Sequence, residues 1–280
     1  MLDAPPAPSR SVAPRILGPT KHRVRVSEIW TSREVAWRIG VRDIKIKYKQ
    51  AALGPLWLLL SPLGLLVAVT IAFSGVTNVE TSGIPYIAFA LAGVTVWSFV
   101  QLSLTLGTTT ITSNAPLIRR STVPRVALLT GTMIGNLPPF AMMTAYTLIA
   151  AALLHHLPVQ ALLLPVLVLW VLLFTLGTIL LLGSLSARYR DAATALPLVI
   201  QAGIFVTPVG YGLEGAPSNI HTLLVLNPVS GIIEAWRWAL LDLPNPEVSA
   251  IVVALAWTVG LLAAGWWRFT RMEVDFADYV

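Results

Sequence analysis

The chain has 280 residues, of which 56% are hydrophobic and 11% charged, with a formal net charge of +6. So few charges exclude an ordinary water-soluble domain, where about a quarter of residues are charged. The absence of cysteine excludes a disulfide framework and a thiolate metal site.

Residues 1–27 are rich in Pro, Ala and Ser near their start and contain no apolar stretch. They lack the apolar core of a secretory signal and read as a disordered cytosolic tail, set before a single membrane domain over 28–280. Within 28–50, Trp30, Trp37, Val41, Ile44 and Tyr48 recur at spacings of 7, 4, 3 and 4, which predicts a helix with one apolar face. Arg38, Arg42, Lys45 and Lys49 each trail that face by one residue and form a basic stripe. Such a helix is expected to lie at the membrane interface with its cations near anionic lipid. Asp43 sits among the cations, and Leu53-Gly54-Pro55 predicts a sharp corner into the bilayer.

Six apolar blocks follow, at 53–76, 85–111, 126–154, 160–186, 192–212 and 249–268. Each is long enough to cross about 30 Å of hydrocarbon at about 1.5 Å per residue, so the expected fold is an all-α polytopic membrane protein with six transmembrane helices. Pro197, Gly203, Pro208 and Gly210 make the fifth block the most interrupted. An even number of spans puts both termini on one side. With the termini in the cytosol, 18 of the 19 Lys and Arg residues are cytosolic and only Arg237 lies outside. That distribution, not nucleic-acid binding, accounts for the basic pI.

The blocks hold no Asp, Glu, Lys, Arg or His away from their ends, which disfavours a proton or cation relay. No Gly-x-x-x-x-Gly-Lys-Ser/Thr phosphate loop is present. His155 and His156 are adjacent without a third ligand at metal-site spacing, and read as a loop pair. Between the second and third blocks, Ser113 or Asn114 as a cap, Pro116 near a helix start, and Pro124 as a stop predict a short helix carrying Arg119 and Arg120. Asp191 opens the fifth block as a cap or a partner of Arg188 or Arg190. Between the fifth and sixth blocks, 216–226 and 230–241 are too short to span and are separated by Asn227-Pro228. They read as re-entrant half-helices outside, with Trp236 and Trp238 as interface anchors or a sugar-stacking surface.

Several segments resemble, in order and spacing, the ABC-2-type permeases that export polysaccharides such as O-antigen, capsule and teichoic acid. They are Arg42-Asp43-Ile44-Lys45 with Tyr48-Lys49-Gln50, Leu53-Gly54, Trp57 and Ser61-Pro62; Leu91-Ala92-Gly93 with Trp97; the run 113–120 with Val123-Pro124-Arg125; Tyr189-Arg190-Asp191; the run 205–209; and Leu226-Asn227-Pro228 with Glu234 and Arg237-Trp238. The resemblance implies a bacterial cytoplasmic (inner) membrane protein that works with a second copy of itself and two copies of a separate ABC ATPase. ATP and Mg would sit on that partner, with no cofactor, metal or nucleic acid on this chain. It implies a coupling element at Asn114, Pro116, Leu117, Ile118, Arg119, Arg120 and Arg125, joined by Arg190 and Asp191. Beside it lies an interface helix that transmits motion through Trp37, Arg38, Arg42, Asp43, Lys45, Tyr48 and Lys49. It also implies an outward gate at Asn227, Pro228, Glu234, Trp236, Arg237 and Trp238. A lipid-linked glycan is polar with C–H faces, so Tyr86, Phe89, Trp97 and Phe99, with the hydroxyls of 103–113, are its candidate channel lining. Two alternatives stand beside this reading: export of a drug or lipid by the same architecture, and a membrane-embedded glycan or lipid enzyme. The enzyme is poorly served by the scattered acids Glu80, Glu214, Glu234, Asp242 and Glu247.

Overall fold

The computed structural model describes residues 30–49, 52–74, 81, 83–114, 124–154, 158–214 and 216–272, and every regular element among them is helical. Ten α-helices run in order: α1 (Arg33–Lys49), α2 (Trp57–Ser74), α3 (Tyr86–Ser113), α4 (Arg125–Gly135), α5 (Leu137–Leu154), α6 (Leu164–Arg188), α7 (Arg190–Ala202), α8 (Ser218–Leu226), α9 (Pro228–Leu241) and α10 (Val248–Met272). Among the described residues four segments are long and apolar enough to cross a membrane: Tyr86–Ser113, Arg125–Leu154, Val159–Arg188 and Val248–Met272. The protein is therefore an all-helical, multi-pass membrane protein.

The expected first and fifth spans are represented by shorter apolar helices, Pro62–Phe73 and Asp191–Val206. The fifth is short for a local reason. After Ala202 the chain tightens into a 3-10 turn at Gly203–Val206 and turns extended at Thr207, ahead of Pro208, because a residue before proline is pushed out of the α region. The third span is interrupted instead of shortened. Asn136 separates α4 from α5, and Pro138 and Pro139 occupy the first turn of α5, where a missing N–H is tolerated.

Helix α3 is the axis of the bundle and packs against α2, α4, α5, α6, α7 and α9. Its residues from Ala88 to Trp97 are all buried. Uncharged hydroxyls and one indole tie helices together: Thr95 to Thr147 at 3.1 Å, Thr110 to Thr132 at 3.0 Å, and the Trp170 Nε1–H to Thr258 Oγ1 at 2.9 Å. Of the hydroxyl residues in 103–113, Ser103, Thr108 and Thr110 are buried. The hydroxyls of Thr108, Thr109, Thr110, Thr112 and Ser113 donate to α3's own carbonyls. Thr105, from the same run, borders a cleft beside α3.

Helix α1 has three faces, one more than its sequence pattern shows. Trp30 and Trp37 are exposed on one side, Arg38, Arg42, Lys45 and Lys49 on a second, and Ala36, Ile39 and Gly40 are buried on a third. That third face lies along α4 and runs in the same direction, Ala36 and Ile39 meeting Gly131 and Asp43 approaching Gly135. A side chain on Gly131 would reach 2.8 Å from Ile39 Cγ2 and 3.0 Å from the Ala36 carbonyl oxygen; one on Gly40 would reach 2.8 Å from Ile134 Cγ2. The seam thus depends on Gly131 and Gly40, which let the two backbones approach closely. At the end of α1, Gly54 adopts φ +49 with nothing within 4 Å of a notional Cβ, so the corner needs glycine for its backbone, not for space.

Gly131→Val is expected to force α1 off α4 and destabilise the protein by about 1–3 kcal/mol, the usual cost of overpacking. The measurement is the melting temperature in detergent together with proteolysis of α1. An unchanged melt with α1 still protected would show that the seam is not tight.

Candidate functional site

Two features stand out: a polar cleft beside α3 and a buried arginine at the end of α3 that carries Tyr86. The arginine begins with the break in α7. Once the chain leaves helix at Thr207, the carbonyls of the following residues lose their intrahelical donors. Side chains from two helices replace them. Arg237 on α9 donates from Nη2 to the Val209 carbonyl at 2.7 Å and from Nη1 to the Tyr211 carbonyl at 3.0 Å. The Tyr86 hydroxyl at the start of α3 donates to the Gly210 carbonyl at 2.8 Å. Asn227 contributes from the α8–α9 joint. Its Nδ2 donates to the Val206 carbonyl and to Thr207 Oγ1, both at 2.9 Å, while its Oδ1 caps α9 by accepting from the Val229 N–H at 3.0 Å.

Arg237 is fully buried and its charge is met by Glu234 one turn earlier, at 3.0 Å. Its guanidinium lies 3.7 Å from the centre of the Phe89 ring. Room for it comes from Gly93, whose added Cβ would stand 2.8 Å from Nη2. Burial is the larger influence on both groups, raising the Glu234 pKa and lowering that of Arg237, and each charge opposes the shift in the other. The Lys/Arg residue that departs from the charge bias of the sequence is thus a buried, neutralised side chain and not a solvated loop cation.

The cleft, of about 360 Å³, is lined by α2, α3, the α4–α5 joint, α7 and the end of α1. Its walls are apolar at Pro62, Leu65, Phe99, Phe140 and Leu198. Ser98, Gln101 and Thr105 form a stripe along one side of α3, with Gln201 on α7 and Lys47 on α1 also in the lining. The side chains of Gln101 and Gln201 make no hydrogen bond to another described residue. Asn136 is already engaged, donating to Ser103 Oγ at 3.2 Å. Among the described residues no group of three or more His, Cys, Asp or Glu side chains stands close enough to hold a metal ion.

Residues 34–241 match the ABC-2 type transporter family. The chain belongs to that family. It is 24% identical over 258 residues to the O-antigen export system permease protein RfbA of Myxococcus xanthus, covering 91% of this chain and 98% of the relative. It is 23% identical over 243 residues to the protein of the same name from Klebsiella pneumoniae, covering 85% and 91%. The ABC-2 family is one of transport subunits, so a membrane-embedded enzyme is not the reading to pursue.

The sequence-derived site residues of this ABC-2 protein fall into several places. Phe89, Trp97 and Phe99 are buried within the bundle. Phe99 stacks on Phe140 at 4.6 Å and also borders the cleft; Trp97 borders a second, mostly apolar cavity of about 360 Å³ with Gly203 and Asn227. Tyr86 is committed to the Gly210 carbonyl. Trp236 is fully buried, 5.6 Å from Phe140, and serves neither as an interface anchor nor as a stacking surface; Trp238 is partly buried. Asn227, Pro228, Glu234 and Arg237 do come together with the end of α7.

On α1, Trp37, Arg38, Arg42 and Lys45 are exposed, as is Lys49. Arg42 holds Asp43 at 2.8 Å and Arg38 holds Glu34 at 2.7 Å. Asn114 closes α3, donating from Nδ2 to the Thr110 carbonyl at 2.8 Å, and Ser113 likewise turns back on that helix. Both therefore finish a helix; the short helix that one of them was expected to cap lies outside the described residues. Arg125 opens α4, and Asp191 lies in the first turn of α7, where a carboxylate complements the helix dipole. Pro116, Leu117, Ile118, Arg119, Arg120, His155 and His156 lie outside the described residues, as do the side chains of Tyr48 and Arg190.

Sequence reasoning missed Gln101, Gln201 and Lys47. Two glutamines inside apolar blocks were the available signal, since an amide facing lipid is costly and one inside a membrane domain faces a partner or a cavity.

Arg237→Met is expected to cost about 3–5 kcal/mol, because Glu234 stays buried without its partner and two carbonyls lose their donor. Adding Glu234→Gln should recover part of that loss, since removing both charges costs less than stranding one. Melting temperatures in detergent across the double-mutant cycle give the coupling, and strictly additive losses would show that the two side chains act independently.

Proposed function

We propose that this chain is the membrane subunit of an ATP-driven exporter that moves a lipid-linked polysaccharide across a bacterial cytoplasmic membrane. Two copies pair with each other and with two copies of a separate ATPase. The observation that carries the reading is the cleft: neutral hydrogen-bonding side chains, Gln101, Thr105 and Gln201, collected on one side of an otherwise apolar bundle. Sugar hydroxyls are neutral donors and acceptors, and amides and hydroxyls bind them without the desolvation cost of charges. A drug or simple lipid does not call for such a stripe. The relatives named as O-antigen export permeases agree with it.

In this reading both termini are cytosolic, the basic stripe of α1 faces anionic headgroups, and α8 and α9 form a re-entrant pair on the outer side. The loop between α3 and α4 meets the ATPase. Displacement of that loop reaches α4 at once and carries α1 with it through the glycine seam.

The reading is tested by expressing the chain with its companion ATPase and scoring surface glycan. Gln101→Leu with Gln201→Leu is expected to lower export about tenfold or more, the scale for losing two buried hydrogen bonds, with membrane level and ATPase association unchanged. Arg119→Glu with Arg120→Glu is expected to break co-purification with the ATPase. Export that persists without any ATPase would overturn the proposal.

A further inference from the structure

Helix α8 sits apart from the main core. Of its residues only Leu224 and Val225 are buried, and with Leu213 and Ala250 they form a small apolar cluster of their own. Its neighbours are α9 and α10. A patch that small holds a nine-residue helix weakly, so a single polar contact weighs in its balance. Such a contact is present. His221 Nε2 on α8 stands 3.2 Å from Glu247 Oε2, one residue before α10. The other oxygen of Glu247 accepts from Ser249 Oγ, which turns the carboxylate toward the start of α10. Both partners of the pair are partly open to solvent, so protons reach them.

Histidine is the side chain whose charge ordinarily changes between about pH 5 and 8. A protonated imidazole gives Glu247 a charge-assisted bond, whereas a neutral one keeps an ordinary hydrogen bond at most. The grip on α8 is therefore firmer with the proton bound, and it weakens as the pH rises. Other charges around α8 do not take over this role. Glu214 precedes the helix, Glu234 and Arg237 on α9 are taken up with each other, and Asp242 follows α9. Among the described residues Glu247 alone stands at ion-pair distance from His221. Tyr211, packed against the small cluster, donates its hydroxyl to the Phe205 carbonyl. The stretch 203–209, which shares a cavity wall with Leu223, has no charged residue. Arg268 and Arg271 lie about five turns further along α10.

Helix α8 leads directly to Asn227, whose amide holds the Val206 carbonyl and Thr207 where α7 has broken and whose Oδ1 caps α9. Movement of α8 therefore reaches the end of α7. We infer that His221 and Glu247 form a proton-sensitive latch that pins α8 to the start of α10 and steadies the joint at Asn227. It is tight in acid and loose above neutrality. The latch stands on this geometry; that it faces the outer side, where it meets the pH of the surroundings, rests on the transport reading above.

The test is hydrogen–deuterium exchange of the full chain in detergent at about pH 5.5 and about pH 8, with labelling times scaled for the intrinsic exchange rate. The 218–226 segment is expected to exchange about two- to fivefold more slowly at the acid pH, the range for one exposed ion pair. Glu247→Gln and His221→Gln should each remove that difference. His221→Lys, charged at both pH values, should keep the slow exchange throughout, so the test decides even if a glutamine variant frays α8. No difference in the wild type overturns the latch. A difference that survives both glutamine variants also overturns it, and its loss in Glu234→Gln would then assign the response to the buried pair on α9. Surface glycan is scored in parallel from cells that also express the companion ATPase. Export without any exchange difference sinks the latch alone; an exchange difference without any export sinks the transport reading and leaves the latch standing.

Discussion

Backbone polarity in a medium without water is the constraint on which this structure depends. A helix can end inside a membrane domain only if something else receives its carbonyls. The end of α7 shows how that demand is met. Three successive carbonyls, those of Val209, Gly210 and Tyr211, accept from Arg237 and Tyr86, and Asn227 serves the Val206 carbonyl just before them. Burying the cation that does this work requires Glu234 beside it, Phe89 beneath it and Gly93 to leave room. The packing of α9 on α3 is the geometric outcome of that chain of requirements.

The other half of the molecule follows a different rule. Along α1 and α4 the contact is one of closeness, through Gly40 and Gly131. Dispersion across such a seam is strong only at contact distance, so the two helices behave as a single body or separate. Helix α4 follows directly on the loop proposed to meet the ATPase, and the end of α1 brings Lys47 to the cleft. In that reading a push received at the loop reaches the cleft through α4 and α1.

What was legible in the sequence was what is local. The positions of four spans, the left-handed Gly54 and the two short helices flanking Asn227 follow from hydropathy, backbone preference and capping, each readable over a few residues. The third face of α1 was not legible, because its partner, Gly131, lies some ninety residues away. Trp236 misled for a related reason: indole is common both at interfaces and in cores, and only the approach of Phe140 decides between them. The aromatic candidates for a channel were drawn from what sugars stack on, yet in this bundle aromatic faces mostly fill the interior. Amides define the cleft, and they were passed over because single glutamines carry little weight in a hydropathy window.

The Glu234–Arg237 pair also bears on how the chain is assembled. In the orientation proposed, Arg237 is the basic side chain that must be carried to the outer side during synthesis. Its partner stands three residues before it on the same helix, at a spacing where the two meet as soon as one turn has formed. The charge can thus be cancelled within the nascent helix, before α3 or the end of α7 is in place to receive it. A topogenic signal that counts free cations would read this segment as nearly neutral, and the retention of basic residues on the cytosolic side would be, in effect, complete.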